Sequence, residues 1–135
     1  METETGNLSK KEAEAILNTL PVDLTFVDKD NVVRYFNKTD RRIFVRTMAD
    51  VGRKMQLCHP EGSVNRVNQV LEAFKKGEEG VAEFWVQRDD HQIHIRFFPV
   101  RDKEGRYLGT LEVDQDITDL KKIKGEKRRL DWLTY

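Results

Sequence analysis

Apolar positions recur along this chain in two rhythms, and the changes of rhythm mark out its elements. Ala13, Ile16, Leu17 and Leu20 follow the three-and-four spacing of a helix face. Ser9 and Glu12 stand as a capping box before them, and Pro21 closes the segment, which predicts a helix over 9–20. Val22, Leu24 and Phe26 then alternate with Asp23 and Thr25, as in a half-buried strand. Asp28-Lys29-Asp30-Asn31 is turn chemistry, and a second strand is expected over 32–36. The stretch 37–52 has no rhythm, although Thr39-Asp40 could cap a helical turn carrying Ile43 and Phe44. Ser63 is the expected cap of a longer helix with Val64, Val67, Val70, Leu71 and Phe74 on one side, ended by Gly77. Three strands follow over 81–87, 91–100 and 107–116, separated by Asp89-Asp90 and by Asp102-Lys103-Glu104-Gly105. Asp116 and Thr118 are good N-cap types for a final helix.

Two strands, a helical middle and three strands predict an α+β fold, a five-stranded antiparallel sheet with short helices on one face. Flanking helices are expected at both ends. The expected division is a loose N-terminus over 1–8, a domain over 9–120 with its flanking helix at 9–20 and core at 21–118, and a basic amphipathic helix over 119–135. The 135 residues suffice for one core and not for two. Strands and helices do not alternate regularly, which argues against a doubly wound nucleotide-binding fold.

Charge narrows the partners. Charged residues make up 36% of the chain, yet Lys+Arg and Asp+Glu balance at 24 each, so no general field attracts nucleic acid or a membrane. Local bias appears only over 121–129, where Lys121, Lys122, Lys124, Lys127, Arg128 and Arg129 face the single acid Glu126. Leu120, Ile123, Leu130 and Leu133 give that segment an apolar edge, and Gly125 interrupts it. No helix-turn-helix pattern accompanies it, so direct nucleic-acid binding is not expected. No run is long enough to span a membrane, and the first residues lack signal-peptide character. With one cysteine, Cys58, and no internal disulfide, the expected setting is a reducing cytoplasm.

Several segments, in order, carry a family resemblance. Leu20-Pro21 with Phe26-Val27-Asp28, Val33-Arg34-Tyr35-Phe36-Asn37, Val51-Gly52-Arg53, Phe98-Pro99-Val100-Arg101-Asp102 and Asp116-Ile117-Thr118 together resemble a PAS domain over about residues 10–120. Tyr35-Phe36-Asn37, Cys58-His59-Pro60, Glu83-Phe84-Trp85 and Gly109-Thr110-Leu111-Glu112-Val113 are similar to a bacterial and archaeal PAS subfamily often fused to hemerythrin-like domains. The chain has no room for such a domain, so any link to one is expected to be made in trans or to be absent. The resemblance implies a sensory or protein-interaction module rather than an enzyme, one whose cavity state passes through the last strand to a partner. Asp116 and Thr118 would be the output end. The flavin-binding PAS pattern is missing, since Lys54-Met55-Gln56-Leu57-Cys58 follows Gly52-Arg53, and a photochemical flavin is not expected.

Three candidate sites follow. Cys58 and His59 carry soft ligand atoms in the region from which heme-binding PAS domains take an axial histidine. Adjacent side chains rarely converge on one ion, so a buried Cys beside a loop-orienting His is the plainer reading, with heme or metal as its alternative. Ile93, Ile95 and Phe97 should face the cavity. On the last strand, hydrophobicity alone turns Leu111 and Val113 inward, whereas counting back from Asp116-Ile117-Thr118 by the resemblance turns Glu112 and Asp114 inward. A buried Glu112 would need a cationic partner, for which Arg34, Arg46 and His59 are candidates, or a polar ligand. The other sheet face gathers Trp85, His94, Arg96 and Phe98; with Ile16 and Leu17 of the first helix, these are candidate homodimer contacts, an intramolecular lid being the alternative. The expected function is a PAS sensor or interaction domain with a small organic ligand of unknown identity and a signalling-protein partner. The alternatives are a heme or metal sensor using Cys58 and His59, or a dimerisation module without ligand.

Overall fold

A computed structural model describes residues 1–133. Helix α1 (Lys10–Thr19) opens on the capping box: Glu12 N–H donates to Ser9 Oγ at 3.0 Å, and Ser9 N–H to the Glu12 carboxylate at 2.9 Å. The five main strands are β1 (Asp23–Asp28), β2 (Val33–Phe36), β3 (Ala82–Arg88), β4 (His91–Arg101) and β5 (Tyr107–Asp116). They form one antiparallel sheet in the order β2-β1-β5-β4-β3, with helix α2 (Glu61–Lys75) beside it. The last strand in sequence is therefore central in space. No helix among the described residues is long and apolar enough to cross a membrane.

Local chemistry explains the connections. Asp28 Oδ1 accepts from Asp30 and Val32 N–H, which sets up the turn that Asn31 completes with φ of 66°. Asp89 and Asp90 both have positive φ, the two-residue turn that suits the twist of the β3–β4 hairpin. At Gly109 a Cβ would lie 2.1 Å from the Val27 carbonyl oxygen, so no larger residue fits against β1 there.

The sheet's inner face is divided. Toward one end, Val27, Val33 and Phe97 pack with Met55 and with Val67, Val70, Leu71 and Phe74 of α2. Toward the other, Asp23, Thr25, Glu112 and Asp114 are buried although all are polar. The alternation in β1 thus does not leave Asp23 and Thr25 in water. The irregular segment after β2 folds over them: Asp23 accepts from Thr39 Oγ1 at 2.6 Å and from Ile43 N–H at 2.7 Å, and Arg42 reaches Thr25 Oγ1 at 3.3 Å.

Four local expectations are corrected. No helical turn forms at Ile43 and Phe44, because Thr39 and the Ile43 amide are engaged by Asp23 instead. Helix α2 starts two residues before Ser63, with Pro60 at its N-cap, and the Ser63 hydroxyl donates to the Pro60 carbonyl. At the N-terminus, Glu2–Thr3 pairs with Gly6–Asn7 in a small hairpin. The helix expected over 119–135 is, through residue 133, only a single 3-10 turn at Leu120–Lys122, and residues 134–135 lie outside the described part. Asp116 holds the Thr118 N–H and hydroxyl in a local turn rather than capping an α-helix. Crowded like charges and Gly125, at φ of 62°, oppose helix propagation beyond it.

Candidate functional site

Between α2, the irregular segment and the inner face of β3, β4 and β5 lies a cavity of about 250 Å³. Its walls are mostly apolar: Phe44, Val67, Phe84, Val86, Ile95 and Phe97. Phe84 and Phe97 meet edge to face at 6.2 Å, and the Arg66 guanidinium lies over the Phe84 ring. The polar atoms gather at one end, where Glu112 faces Arg46 and His59.

Pairing in the sheet settles the direction of β5. Glu112 stands opposite Thr25 and Phe97, and Asp114 opposite Asp23 and Ile95, all on the inner face. Glu112 is 3% exposed and Asp114 1%. Leu111 and Val113 face the other way, beside Phe26 and Leu24. The family register therefore prevails over hydrophobicity in this strand.

Burying two carboxyls on one strand requires compensation. Arg46 Nη2 and His59 Nε2 each approach Glu112 Oε1 at 3.7 Å, within ion-pair range but beyond hydrogen-bond length. Burial pushes the Glu112 carboxyl up, but His59, Asp114 and Arg46 together outweigh it and hold the group below its ordinary value. Asp114 goes the other way. Burial, and then the charge of Glu112 beside it, raise its pKa from 3.8 to about 10. The pair thus carries one negative charge near neutrality, on Glu112, and one proton, on Asp114. Arg34, a candidate partner for Glu112, instead pairs with Asp28 at 3.4 Å.

Cys58 and His59 both line the cavity, but each is already engaged. The Cys58 thiol donates to Asp50 Oδ1 at 3.5 Å, and burial, followed by that contact, pushes it up, away from the thiolate that a metal or a nucleophilic role requires. His59 Nδ1 donates to the Met55 carbonyl at 3.1 Å, which leaves Nε2 toward Glu112. Scaling from benzene in a 150 Å³ cavity gives room for roughly ten non-hydrogen atoms, a small part of a porphyrin. The residues present do not fit heme. Among the described residues no cluster of three or more His, Cys, Asp or Glu could hold a metal ion.

On the opposite face Trp85 pairs with His94, Glu83 with Arg96, and Phe98 with Leu111. Trp85 is 62% exposed; His94 Nε2 meets Glu83 Oε2, and the Arg96 guanidinium covers the Phe98 ring. Ile16 is 49% exposed and Leu17 half-buried, and no residue of α1 is buried. The helix is tied to the sheet through Asn37, whose Nδ2 donates to the Leu17 and Val22 carbonyls. At the end of β5, the Thr118 hydroxyl donates to Asp116 and accepts from Gln92 N–H, while Ile117 N–H donates to the Gln92 carbonyl. Sequence reasoning missed Asp23, Arg42, Phe44 and Arg66. The aromatic and basic types in the irregular segment were visible, but its path over the sheet was not.

This fold, with its central last strand and the cavity beside it, is matched by a PAS-domain family model over residues 13–118, and the chain belongs to that family. The C-terminal domain of a Streptococcus mutans protein is similar at 33% identity, covering 90% of this chain and 95% of that one, with a TM-score of 0.84. The PAS domain of BvgS from Bordetella pertussis (16% identity, 83% and 96% coverage, TM-score 0.61) shares the fold. So does a sensory box sensor histidine kinase from Vibrio cholerae (15% identity, 78% and 89% coverage, TM-score 0.57). No curated protein matches the sequence. Family membership supports a sensory or interaction role.

Proposed function

We propose that this domain senses a small organic molecule in the cavity and reports occupancy through β5 to the segment that follows it. The observation that carries this reading is Glu112, an ionised, buried carboxylate facing a mostly apolar space without a closed hydrogen bond to Arg46 or His59. A ligand that completes those contacts binds one arrangement of the polar end better than another, which is the requirement for shifting a conformational equilibrium. Strand β5 carries Glu112, Asp114 and Asp116 at alternate positions, so a change at the first two is six and four residues from Thr118 of the Thr118–Gln92 clasp. The face around Trp85 is suited to a second copy of the domain or to a signalling protein, and a basic tail after Thr118 would meet that partner.

The test is native mass spectrometry of the full chain purified under gentle conditions, paired with amide exchange. A small-molecule adduct that disappears in the cavity-filling variant Val67→Phe, with slower exchange over 116–123 when bound, is the expected result. Protein that carries no adduct, and whose exchange and melting are indifferent to an extract of cellular small molecules, would overturn the sensing role.

A further inference from the structure

The polar end of the cavity holds an acceptor and a donor on one incompletely closed ion pair, Glu112 and Arg46. Neither Arg46 nor His59 closes a hydrogen bond to Glu112 Oε1, and Arg46 Nε has no acceptor, although the Glu112 and Arg46 side chains are only 4% and 6% exposed. The 3.7 Å between Arg46 Nη2 and Glu112 Oε1 leaves the ion pair unclosed, so the carboxylate has room for a further donor and Arg46 Nε needs an acceptor. We propose, resting on the reading of the cavity as a ligand site, that its ligand is a compact, flat, uncharged amide, whose N–H donates to Glu112 Oε1 and whose carbonyl accepts from Arg46 Nε.

Charge at this end excludes the alternatives. The Glu112 carboxylate is offset by the Arg46 guanidinium, and Asp114, with its raised pKa, adds a proton rather than a charge. A carboxylate ligand would find Arg46 but place its second oxygen against Glu112. A cationic ligand would satisfy Glu112 and face two guanidinium groups, Arg46 and Arg66. Only a group with one donor and one acceptor on the same edge answers both atoms without bringing a charge into the site. The body of the molecule is aromatic or similarly flat, since Phe84, Phe97, Ile95 and Val67 wall the remaining space, which holds roughly ten non-hydrogen atoms.

Benzamide, benzoate and benzamidine have one shape and differ only at that edge, with ethylbenzene as an apolar control. Each is titrated into the full chain and followed by amide NMR spectra and calorimetry. Benzamide is expected to bind about tenfold or more tighter than the other three, the penalty for leaving a buried polar group unmet. Tighter binding of benzoate or benzamidine, or equal binding of ethylbenzene, overturns the amide assignment while the cavity stands as a ligand site. If no cavity resonance moves with any of the four, the ligand-site reading falls, and this inference with it. Glu112→Gln leaves Arg46 uncompensated and is expected to turn the preference toward benzoate by about tenfold. An unchanged order of preference in a folded Glu112→Gln protein also overturns the assignment. Should that variant not fold, the wild-type series decides alone.

Discussion

The two ends of the inner sheet face use opposite means to fill the same kind of space. At the dry end Val27, Val33, Met55, Leu71 and Phe74 are all but fully buried and carry no polar side-chain atom needing a hydrogen-bond partner. At the ionic end Glu112, Asp114 and Asp23 are as deeply buried, and their stability depends on Arg46, His59, Thr39 and a retained proton. The dry end stabilises through area removed from water, which is insensitive to pH. The ionic end contributes little net stability but holds charges whose state depends on pH and on their neighbours. On the proposed function, one sheet face separates holding the fold from reading a ligand.

The largest expected effect breaks the dry end. Phe74→Ala removes the biggest core side chain and should cost about 4 kcal/mol in urea unfolding, with little dependence on pH. A cost that changes strongly with pH would show that the two ends are not separate. Arg46→Met acts on the ionic end by stranding the Glu112 charge, for an expected cost of about 3 kcal/mol at neutral pH. That cost should shrink on acidification, as Glu112 gains a proton; a loss equal at pH 4 and pH 7 would mean that Arg46 serves by packing.

A smaller effect separates the two carboxyls. Because the folded pKa of Asp114 is raised from 3.8 to about 10, the folded state holds a proton the unfolded chain has released between these values. This contribution is complete below pH 4 and declines as pH rises toward 10. Asp114→Asn keeps a neutral group there, so its stability relative to wild type should improve by about 1 kcal/mol or more between pH 5 and pH 9. Parallel pH profiles would place the proton elsewhere. Outside both ends, Ser9→Ala removes the α1 cap and should cost about 1 kcal/mol without altering cavity binding. Altered binding would tie the flanking helix to the site.

Much of this was legible in the sequence, for identifiable reasons. Element order followed from apolar spacing and turn residues, because Asp28 and the Asp89-Asp90 pair act locally. The direction of Glu112 was not readable from hydrophobicity, since Leu111 and Val113 make the better apolar face, and only the family register pointed the other way. Asp23 and Thr25 read as solvent positions because their partners, Thr39, Ile43 and Arg42, arrive from a segment without periodicity. Over 119–133 an apolar edge suggested a helix, but no side chain of the Leu120–Lys122 turn is buried, and a stripe without a surface to cover does not hold a helix.

Gly109 bears on how the sheet avoids assembling wrongly. Sliding β5 by one position would turn Leu111 and the already buried Val113 to the inner face and move both carboxylates off it, an exchange that hydrophobicity favours there. Such a slip would carry Leu108 or Thr110 to the place where the Val27 carbonyl leaves no room for a Cβ. The glycine admits the alignment that hydrophobicity disfavours, because only a residue without a Cβ fits against the Val27 carbonyl in the observed register. A Gly109→Ala chain would therefore be at risk of losing the charged cavity, and not only stability, by settling into a sheet with the wrong residues inside.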